Sequence, residues 1–319
     1  MAYYEQSYNT ATPALDIMTS LQTWMPANGY TFVETYTSAT NVSDVYKSPG
    51  TSNSFGTDFY IGFNRTATTA TTVAAMVFEQ WDAVNKKAIK YAPATGAASM
   101  TPASDGSVND SGVLLSATTA AASCYKSASL YIPLNNASWV IYVNININRI
   151  IWGSSNSYVY NGYAGLYDSF STNNVTFPLC VVSFSDKTST IDPVSTTSGG
   201  SFTRDPWPTT ATTNFGVFVS YTPTYGIFPT TAAGAAPTSV NGRTGLMPSA
   251  LVQLVNTKYT VSSIFGSSGT LKDVVYNNQG TANTNGGDTL AITVGATTYN
   301  YVKPANYTTY KFPIWIPKQ

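Results

Sequence analysis

The sequence predicts a mainly β fold of the β-rich α+β class, with an antiparallel sandwich- or barrel-like core, one N-terminal helix and a small C-terminal β module. Three observations support this prediction. Short apolar runs separated by turn residues recur along the chain, apolar and polar residues alternate in its middle, and helical spacing is clear only near its start. We expect a main domain over residues 1–228 and the C-terminal module over residues 229–319.

The N-terminal helix begins at a typical start signal. Thr12 can act as the N-cap, and Pro13 suits the first helical position, where its missing N–H is not needed. Pro26 and Gly29 provide the stop signal. The apolar positions recur at spacings of three and four, which predicts a single apolar face. That face is expected to contain Leu15, Met18, Leu21 and Met25.

Alternation and turn residues predict short strands after the helix. We expect strands at Tyr30–Tyr36 and Phe59–Phe63, with a turn at Ser48–Gly50 between them. The segment Val73–Ala92 fits either a strand or an amphipathic helix, and its paired lysines favour the helix. Residues 93–124 are rich in Ala, Thr, Ser and Gly, and they predict a long surface loop of the kind that usually carries contacts or function.

The strongest β pattern covers Ser138–Trp152, with the sequence SWVIYVNININRIIW. Asn144, Asn146 and Asn148 alternate with aliphatic residues, so one face of the predicted strand is apolar and the other is lined by amides. The amide face can be solvated or paired with another chain. Arg149 ends this apolar run, and we expect it to pair with a carboxylate or with backbone carbonyls, because a lone buried guanidinium is costly.

The second half of the chain repeats this pattern of short strands and polar loops. A short helix is expected in Leu246–Val255, and the proline-flanked run Phe312–Pro317 is expected to be an extended edge segment. The Ser/Thr/Gly/Pro-rich segment 185–213 holds Trp207 between two prolines, where it either covers the core or meets a partner. Further strands are predicted at 177–182, 214–225, 289–294 and 297–302.

Composition excludes several classes of function. The chain has 319 residues, 15 basic and 15 acidic, with no histidine, and only 9% of its residues are charged. The aromatic content of 13% argues against disorder, and the balanced charge argues against a nucleic-acid partner. Without histidine the chain cannot build a Ser-His-Asp or Cys-His site or a His-containing zinc site.

The polar surface must instead be provided by Thr, Ser, Asn and Tyr. These side chains cost less to desolvate than ions, so such a surface suits large, permanent protein–protein contacts. A secreted or thermally adapted globular protein with an unusual surface is the alternative. The sequence shows no secretory signal and no apolar stretch long enough to span a membrane, so we expect no membrane partner.

No motif in the sequence indicates a catalytic, metal or cofactor site. The phosphate-loop, dinucleotide and nucleophile-elbow patterns are missing, and the loop residues Asp105 and Asp110 match no metal-loop spacing. We therefore expect no enzyme activity, no cofactor and no metal. Cys124 and Cys180 fit either a pair of buried thiols or a disulfide.

Three stretches resemble a family of tailed-bacteriophage virion structural proteins associated with the neck or tail. They are Asp44–Phe63 (DVYKSPG…DFYIGF), Trp139–Cys180, and Leu271–Tyr310, where the resemblance lies in the run DTLAITVGATTYNYVKPANYTTYKF that begins at Asp288. The middle stretch resembles a family block in which a strand ending in Arg-Ile-Ile precedes a Tyr-x-Gly segment and a Pro-Leu-aliphatic strand. Its matching positions here are Arg149, Ile150, Ile151, Tyr158, Tyr163, Ala164, Gly165, Pro178 and Leu179.

This resemblance implies a structural subunit of a virion that is assembled in a host cytoplasm. It implies contacts with further copies of the chain, in a ring or collar, and with other virion proteins; it implies no catalytic residues. The alternative is a receptor-binding adhesin whose loop aromatics, such as Trp207 and Tyr225, stack on host-surface glycans. The structural and interface candidates are Arg149, Tyr163, Gly165, Trp207 and Trp315.

Overall fold

The structure is a computed structural model that confirms a mainly β, antiparallel fold with an N-terminal helix. It contains four sheets, and α1 is the single helix among the residues that it describes. These residues are 1–8, 12–37, 41–66, 72–91, 113–114, 129–131, 139–155, 162–169, 179–183, 200–201, 215–220, 246–248, 251–256, 263–277, 286–304 and 314–318.

The helix α1 (Pro13–Ala27) begins and ends where the sequence predicts. The Thr12 carbonyl accepts hydrogen bonds from the backbone N–H groups of Leu15 and Asp16, although the Thr12 hydroxyl does not cap the helix. Gly29 follows with φ +92°, a conformation that favours glycine. The predicted face is wrong for Leu15, which is 42% exposed. The buried stripe is Ala14, Ile17, Met18, Leu21, Trp24 and Met25.

The first sheet has the order β1-β9-β10-β11-β13, and all of its pairs are antiparallel. Its central hairpin β9–β10 is the segment for which the sequence predicts one strand. That prediction is wrong, because Asn146 Oδ1 accepts the N–H groups of Asn148 and Arg149 and turns the chain. The strands are β1 (Ala2–Tyr8), β9 (Trp139–Asn146), β10 (Arg149–Ser154), β11 (Gly162–Leu166) and β13 (Leu179–Ser183).

The second sheet follows the chain in the order β2-β3-β4-β5-β6-β7, and β8 also pairs with β5. The helix favoured for Val73–Ala92 is wrong, since this segment forms the hairpin β5–β6. Asp82 Oδ1 accepts the N–H groups of Val84 and Asn85, and Lys86 completes the turn at φ 58°. The strands are β2 (Thr31–Thr37), β3 (Asn41–Ser48), β4 (Phe59–Thr66), β5 (Thr72–Asp82), β6 (Lys87–Tyr91), β7 (Val113–Leu114) and β8 (Ser129–Tyr131).

The third sheet has the order β12-β18-β17-β15-β14. Its strands come from both sides of residue 228, the domain boundary that the sequence analysis predicts. The helix expected in Leu246–Val255 is wrong, because this segment forms strands β16 and β17. The strands of the sheet are β12 (Asp168–Ser169), β14 (Gly200–Ser201), β15 (Phe215–Ser220), β17 (Leu251–Asn256) and β18 (Ser263–Thr270).

The fourth sheet has the order β16-β19-β22-β21-β20 and is made only of C-terminal strands. The predicted strands Thr289–Val294 and Thr297–Val302 are confirmed, and the structure pairs them as a hairpin. The C-terminal segment is an inner strand rather than the expected edge, since one half of it pairs with β19 and the other half with β21. The strands are β16 (Leu246–Pro248), β19 (Val275–Asn277), β20 (Thr289–Val294), β21 (Thr297–Val302) and β22 (Ile314–Pro317).

One apolar core joins the helix to the first two sheets. Tyr4 stacks on Trp24 with the ring centroids 4.4 Å apart, so β1 lies against the helix. Strands β11 and β13 also contact β5, which brings the two sheets together in a sandwich-like arrangement. The core includes Met25, Tyr46, Phe63, Met76, Phe78, Ile145, Trp152 and Leu166. The fourth sheet lies beside this core, where β22 contacts β9.

Candidate functional site

Arg149 connects the first sheet to the turn that leads into the fourth sheet. Its side chain is fully buried, and Asp273 Oδ2 accepts hydrogen bonds from Nε at 3.1 Å and from an η nitrogen at 2.7 Å. The other η nitrogen donates to the backbone O of Asn144 at 3.0 Å and to Asn144 Oδ1. The expectation that Arg149 pairs with a carboxylate or with backbone carbonyls is therefore confirmed.

The chain itself covers the amide face of β9 at Asn144, whereas Asn146 is half-buried. Asn144 is buried, and its Nδ2 donates to the Pro317 carbonyl of β22 at 2.7 Å. Asn146 Nδ2 donates to the same Asp273 oxygen that binds Arg149, at 3.2 Å. Two alternating amides of β9 thus donate hydrogen bonds, one to the C-terminal strand and one to the carboxylate that pairs with Arg149. We name the group Arg149, Asn144, Asn146, Asp273 and Pro317 the arginine junction.

Gly165 lets β11 approach the arginine junction. It lies opposite Arg149 in the ladder, with φ +136°, and a Cβ here would lie 2.6 Å from Arg149 Cα. The neighbouring Leu166 N–H donates to the Asn148 carbonyl at 2.8 Å, which closes the hairpin turn against β11. Tyr163 is fully buried beside it and donates its hydroxyl hydrogen to the Leu166 carbonyl.

Four of the five interface candidates lie inside this part of the fold. Arg149, Tyr163 and Gly165 form or adjoin the junction, and Trp315 of β22 is only 2% exposed. Their side chains hold the chain's own sheets together, while a role in contacts between chains stays a prediction. Trp207 lies outside the described residues. So do Cys124 and Tyr225 and nearly all of the polar segments 93–124, 185–213 and 228–243.

The hairpin β20–β21 presents an uncharged outer edge. Thr289, Ala291 and Thr293 are exposed on one face, and their strand contains no charged residue and no proline. Strand β20 pairs with β21 on one side, and no strand in the described part of the chain pairs with it on the other. Gly295 (φ +61°) provides the turn between the two strands.

The hydrogen bonds around the hairpin show which backbone groups point outward. The Lys303 N–H donates to the Asp288 carbonyl at 2.9 Å, so Asp288 faces β21. On the inner side the Lys318 N–H donates to the Asn300 carbonyl at 2.7 Å, so Asn300, which lies opposite Ala291, faces β22. Because the two directions alternate along an antiparallel ladder, the N–H and C=O groups of Thr289, Ala291 and Thr293 point away from the sheet.

Lys303 lies at the base of this hairpin and is fully buried. Burial lowers the pKa of its ammonium group to about 8, and the nearby Asp288 opposes that shift. Removing an ammonium group from water disfavours its charged form, so this lysine loses its proton well below the pH at which an exposed lysine does. Lys303 is therefore a pH-sensitive group beneath the exposed edge.

Sequence analysis did not identify the partner of Arg149 or the outer edge of β20. Asp273 lies 124 residues from Arg149 in the chain, and no local pattern connects them. The edge does carry a sequence signal, because six consecutive strand residues without Lys, Glu, Asp or Pro are unusual at an exposed edge. In the residues that the structure describes, no group of three or more His, Cys, Asp or Glu side chains could hold a metal ion.

No helix within the described ranges has both the length and the apolar character to cross a membrane. Neither a protein-family model nor a curated protein sequence matches this chain.

Proposed function

We propose that this chain is a structural subunit of a tailed-bacteriophage virion, a ring-forming component of the neck, collar or tail that works through protein–protein contacts. The observation that carries the proposal is the uncharged outer edge of β20. An open edge is a template for another strand, and proteins that stay monomeric usually protect such an edge with lysines, prolines or a bulge. The ladder of β20 with β21 is regular, and its residues include none of these protections.

The use of charge in the chain supports the same proposal. Charged side chains in the described residues pair with one another, joining Lys47 to Asp58, Lys86 to Glu34, Arg149 to Asp273, Lys272 to Asp168 and Lys318 to Glu5. Internal pairing leaves hydroxyl, amide and backbone groups for contacts with other chains. Such groups can be buried in a permanent interface without the large desolvation cost of an unpaired ion.

The arginine junction supports the proposal because it attaches the C-terminal sheet to the first sheet. A contact made at β20 is connected through β21 and β22 to Asn144 in the first sheet, by continuous hydrogen bonds. The edge strand is thus hydrogen-bonded to the main core through β21 and β22.

The test of this proposal is whether the chain is part of virions. Phage particles from the source of this gene are purified, their proteins are identified by mass spectrometry, and particles made with the gene interrupted are imaged by electron microscopy. We expect the chain in intact particles at an abundance similar to that of other ring proteins, and headless or tailless particles without it. Intact, complete particles that lack the chain would overturn the proposal. Location of this chain at a fibre tip, together with binding of the chain to host-surface glycans, would support the adhesin alternative instead.

A further inference from the structure

We propose that the outer edge of β20 binds the same edge of a second copy of this chain, antiparallel and centred on Ala291. The inference deepens the proposed function, on which it rests, by naming the partner of this edge. A twofold contact joins two copies, so a ring would be built from such dimers through a further contact elsewhere on the chain. It starts from the backbone, because Thr289, Ala291 and Thr293 each direct an N–H and a C=O away from the sheet. An extended strand would satisfy all six groups at once, in the way that β21 satisfies the inward groups of β20.

The register follows from twofold symmetry. With Ala291 opposite Ala291 of the second copy, Thr289 lies opposite Thr293, and each outward residue meets another outward residue. Every such pair can then exchange two backbone hydrogen bonds, as the hydrogen-bonded pairs of an antiparallel ladder do. A register slip of one residue would place outward groups opposite inward ones and lose these bonds. A twofold centre at Leu290 or Ile292 would still pair outward residues, but it would engage only two of the three outward residues of β20 with each other, so the centre at Ala291 uses the most of them.

The side chains also match in this register. On the exposed face, Thr289 lies beside Thr293 of the second copy, a pairing that stabilises antiparallel strands. On the other face, the half-buried Leu290 lies beside Ile292 of the second copy, so both copies extend one aliphatic surface. The closest carboxylates are the two Asp288 side chains. They lie six positions apart along the strand direction, roughly 20 Å at ~3.4 Å per residue, which exceeds the screening length of about 10 Å.

The other edge of the same sheet argues for a contact between identical edges. Strand β16 is only three residues long and ends in Pro248, which has no N–H to donate. Head-to-tail addition of β20 to β16 would therefore pair few residues. Two β20 edges pair over a longer stretch, so the closed, twofold contact is the one that satisfies more backbone groups.

The experiment measures self-association of the full chain by analytical ultracentrifugation over a concentration series. The native chain is expected to form dimers or assemblies built from them. In Ala291→Lys, two ammonium groups face each other across the axis, and like charges directly opposite each other destabilise the pair. We expect dimerisation to weaken at least about tenfold, or by about 1.4 kcal/mol. Ala291→Glu should have the same effect, whereas mixing these two variants should restore a mixed dimer.

Thr297→Lys is the matched control. It adds the same charge to an exposed position of the same hairpin, but on β21 rather than at the outer edge. Circular dichroism and melting temperature show whether each variant is folded. A native chain that stays monomeric, equal weakening by Thr297→Lys, or no recovery on mixing would overturn the inference.

The two proposals fail in different ways. The chain could be found in virions and yet be monomeric, with Ala291→Lys preventing another virion protein from binding it. That result would show that the edge of β20 binds the other protein and not a second copy, and it would leave the proposed function standing. A chain that dimerises through Ala291 but is missing from complete virions would overturn the proposed function and leave the edge contact standing.

Discussion

The arginine junction allows a test of coupling between the first and fourth sheets. The perturbation is Asp273→Ala, alone and together with Arg149→Met. Arg149 is fully buried, whereas the Asp273 side chain is 42% exposed. Removing the carboxylate therefore leaves a buried guanidinium without its counter-ion, while removing the guanidinium leaves a carboxylate that water can reach. The two single changes should not cost the same.

The magnitudes follow from the partners that each change leaves behind. Breaking a buried pair so that a charge is left uncompensated costs about 3–5 kcal/mol, and we expect Asp273→Ala near the lower end because the Asn144 oxygens still bind Arg149. Arg149→Met removes the Arg149 donor from Asn144 Oδ1, whereas the Asn144 backbone carbonyl keeps its place in the ladder with β10, so we expect a cost of about 1–3 kcal/mol. In the presence of Arg149→Met, the further change Asp273→Ala should cost less than about 0.5 kcal/mol, as at an ordinary surface site.

The assay is urea denaturation of the four chains of this double-mutant cycle, with hydrogen exchange followed over residues 271–277 and 314–318. We expect a coupling free energy of about 2–3 kcal/mol between Asp273 and Arg149. Hydrogen exchange of these C-terminal segments should be faster in Asp273→Ala than in the native chain, and the added change Arg149→Met should reverse that increase. Glu5→Ala is the control, because Glu5 and Lys318 form an exposed pair at 3.7 Å that should contribute less than about 1 kcal/mol. Additive costs of the two changes would refute the reasoning.

Two further predictions concern Gly165 and Lys303. Gly165→Ala should destabilise the fold more than Gly295→Ala in thermal denaturation, because both positions have positive φ but only a Cβ at Gly165 meets backbone atoms. We expect a loss of unfolding free energy of about 3 kcal/mol or more for Gly165→Ala and about 1 kcal/mol for Gly295→Ala. Equal losses would contradict this. The folded-state pKa of Lys303 is about 8, below its unfolded value, so stability should rise between pH 8 and 9.5 as the buried ammonium group is neutralised. Lys303→Met should flatten that slope in urea titrations, and an unchanged slope would show that another group is responsible.

The elements that could be predicted from the sequence are those with local signals. Helix α1 has a proline start, a glycine stop and a repeating apolar face, and the hairpin β20–β21 has two alternating runs around Gly295. The error at Leu15 came from starting the face one residue late, since the buried stripe begins at Ala14. A shift of one residue on a helix is about 100°, which is enough to move a side chain from the core to solvent.

Two of the predictions that failed, the single strand over β9–β10 and the helix over β5–β6, depended on side-chain bonds to the backbone. The alternation of Asn and Ile continues without interruption through the turn between β9 and β10, so periodicity gives no sign of the reversal. Asn146 makes that turn by accepting two backbone N–H groups, and Asp82 does the same between β5 and β6. The residue types Asn and Asp suit a turn, but the same types also occur on a polar strand face.

The C-terminal strand shows why tertiary pairing could not be derived from local sequence. Pro317 suggests an edge because it has no N–H, yet β22 is internal. It can be internal because Trp315 pairs with β19, whereas Ile316 and Pro317 pair with β21, so that the strand changes neighbours before the proline. The partners Val275 and Tyr301 belong to segments on either side of a long stretch of chain, and no periodicity within β22 identifies them.

The placement of charge and of neutral polar groups suggests a division of tasks in this chain. Ion pairs are used internally, where Arg149 and Asp273 attach the C-terminal sheet to the core. Threonine hydroxyls and backbone groups remain at the outer edge, where Thr289 and Thr293 flank Ala291. A contact made by such neutral groups is little affected by screening, so increasing salt should leave it intact, whereas a contact between surface ions would weaken. An assembly joined in this way would keep its geometry in media of very different ionic strength.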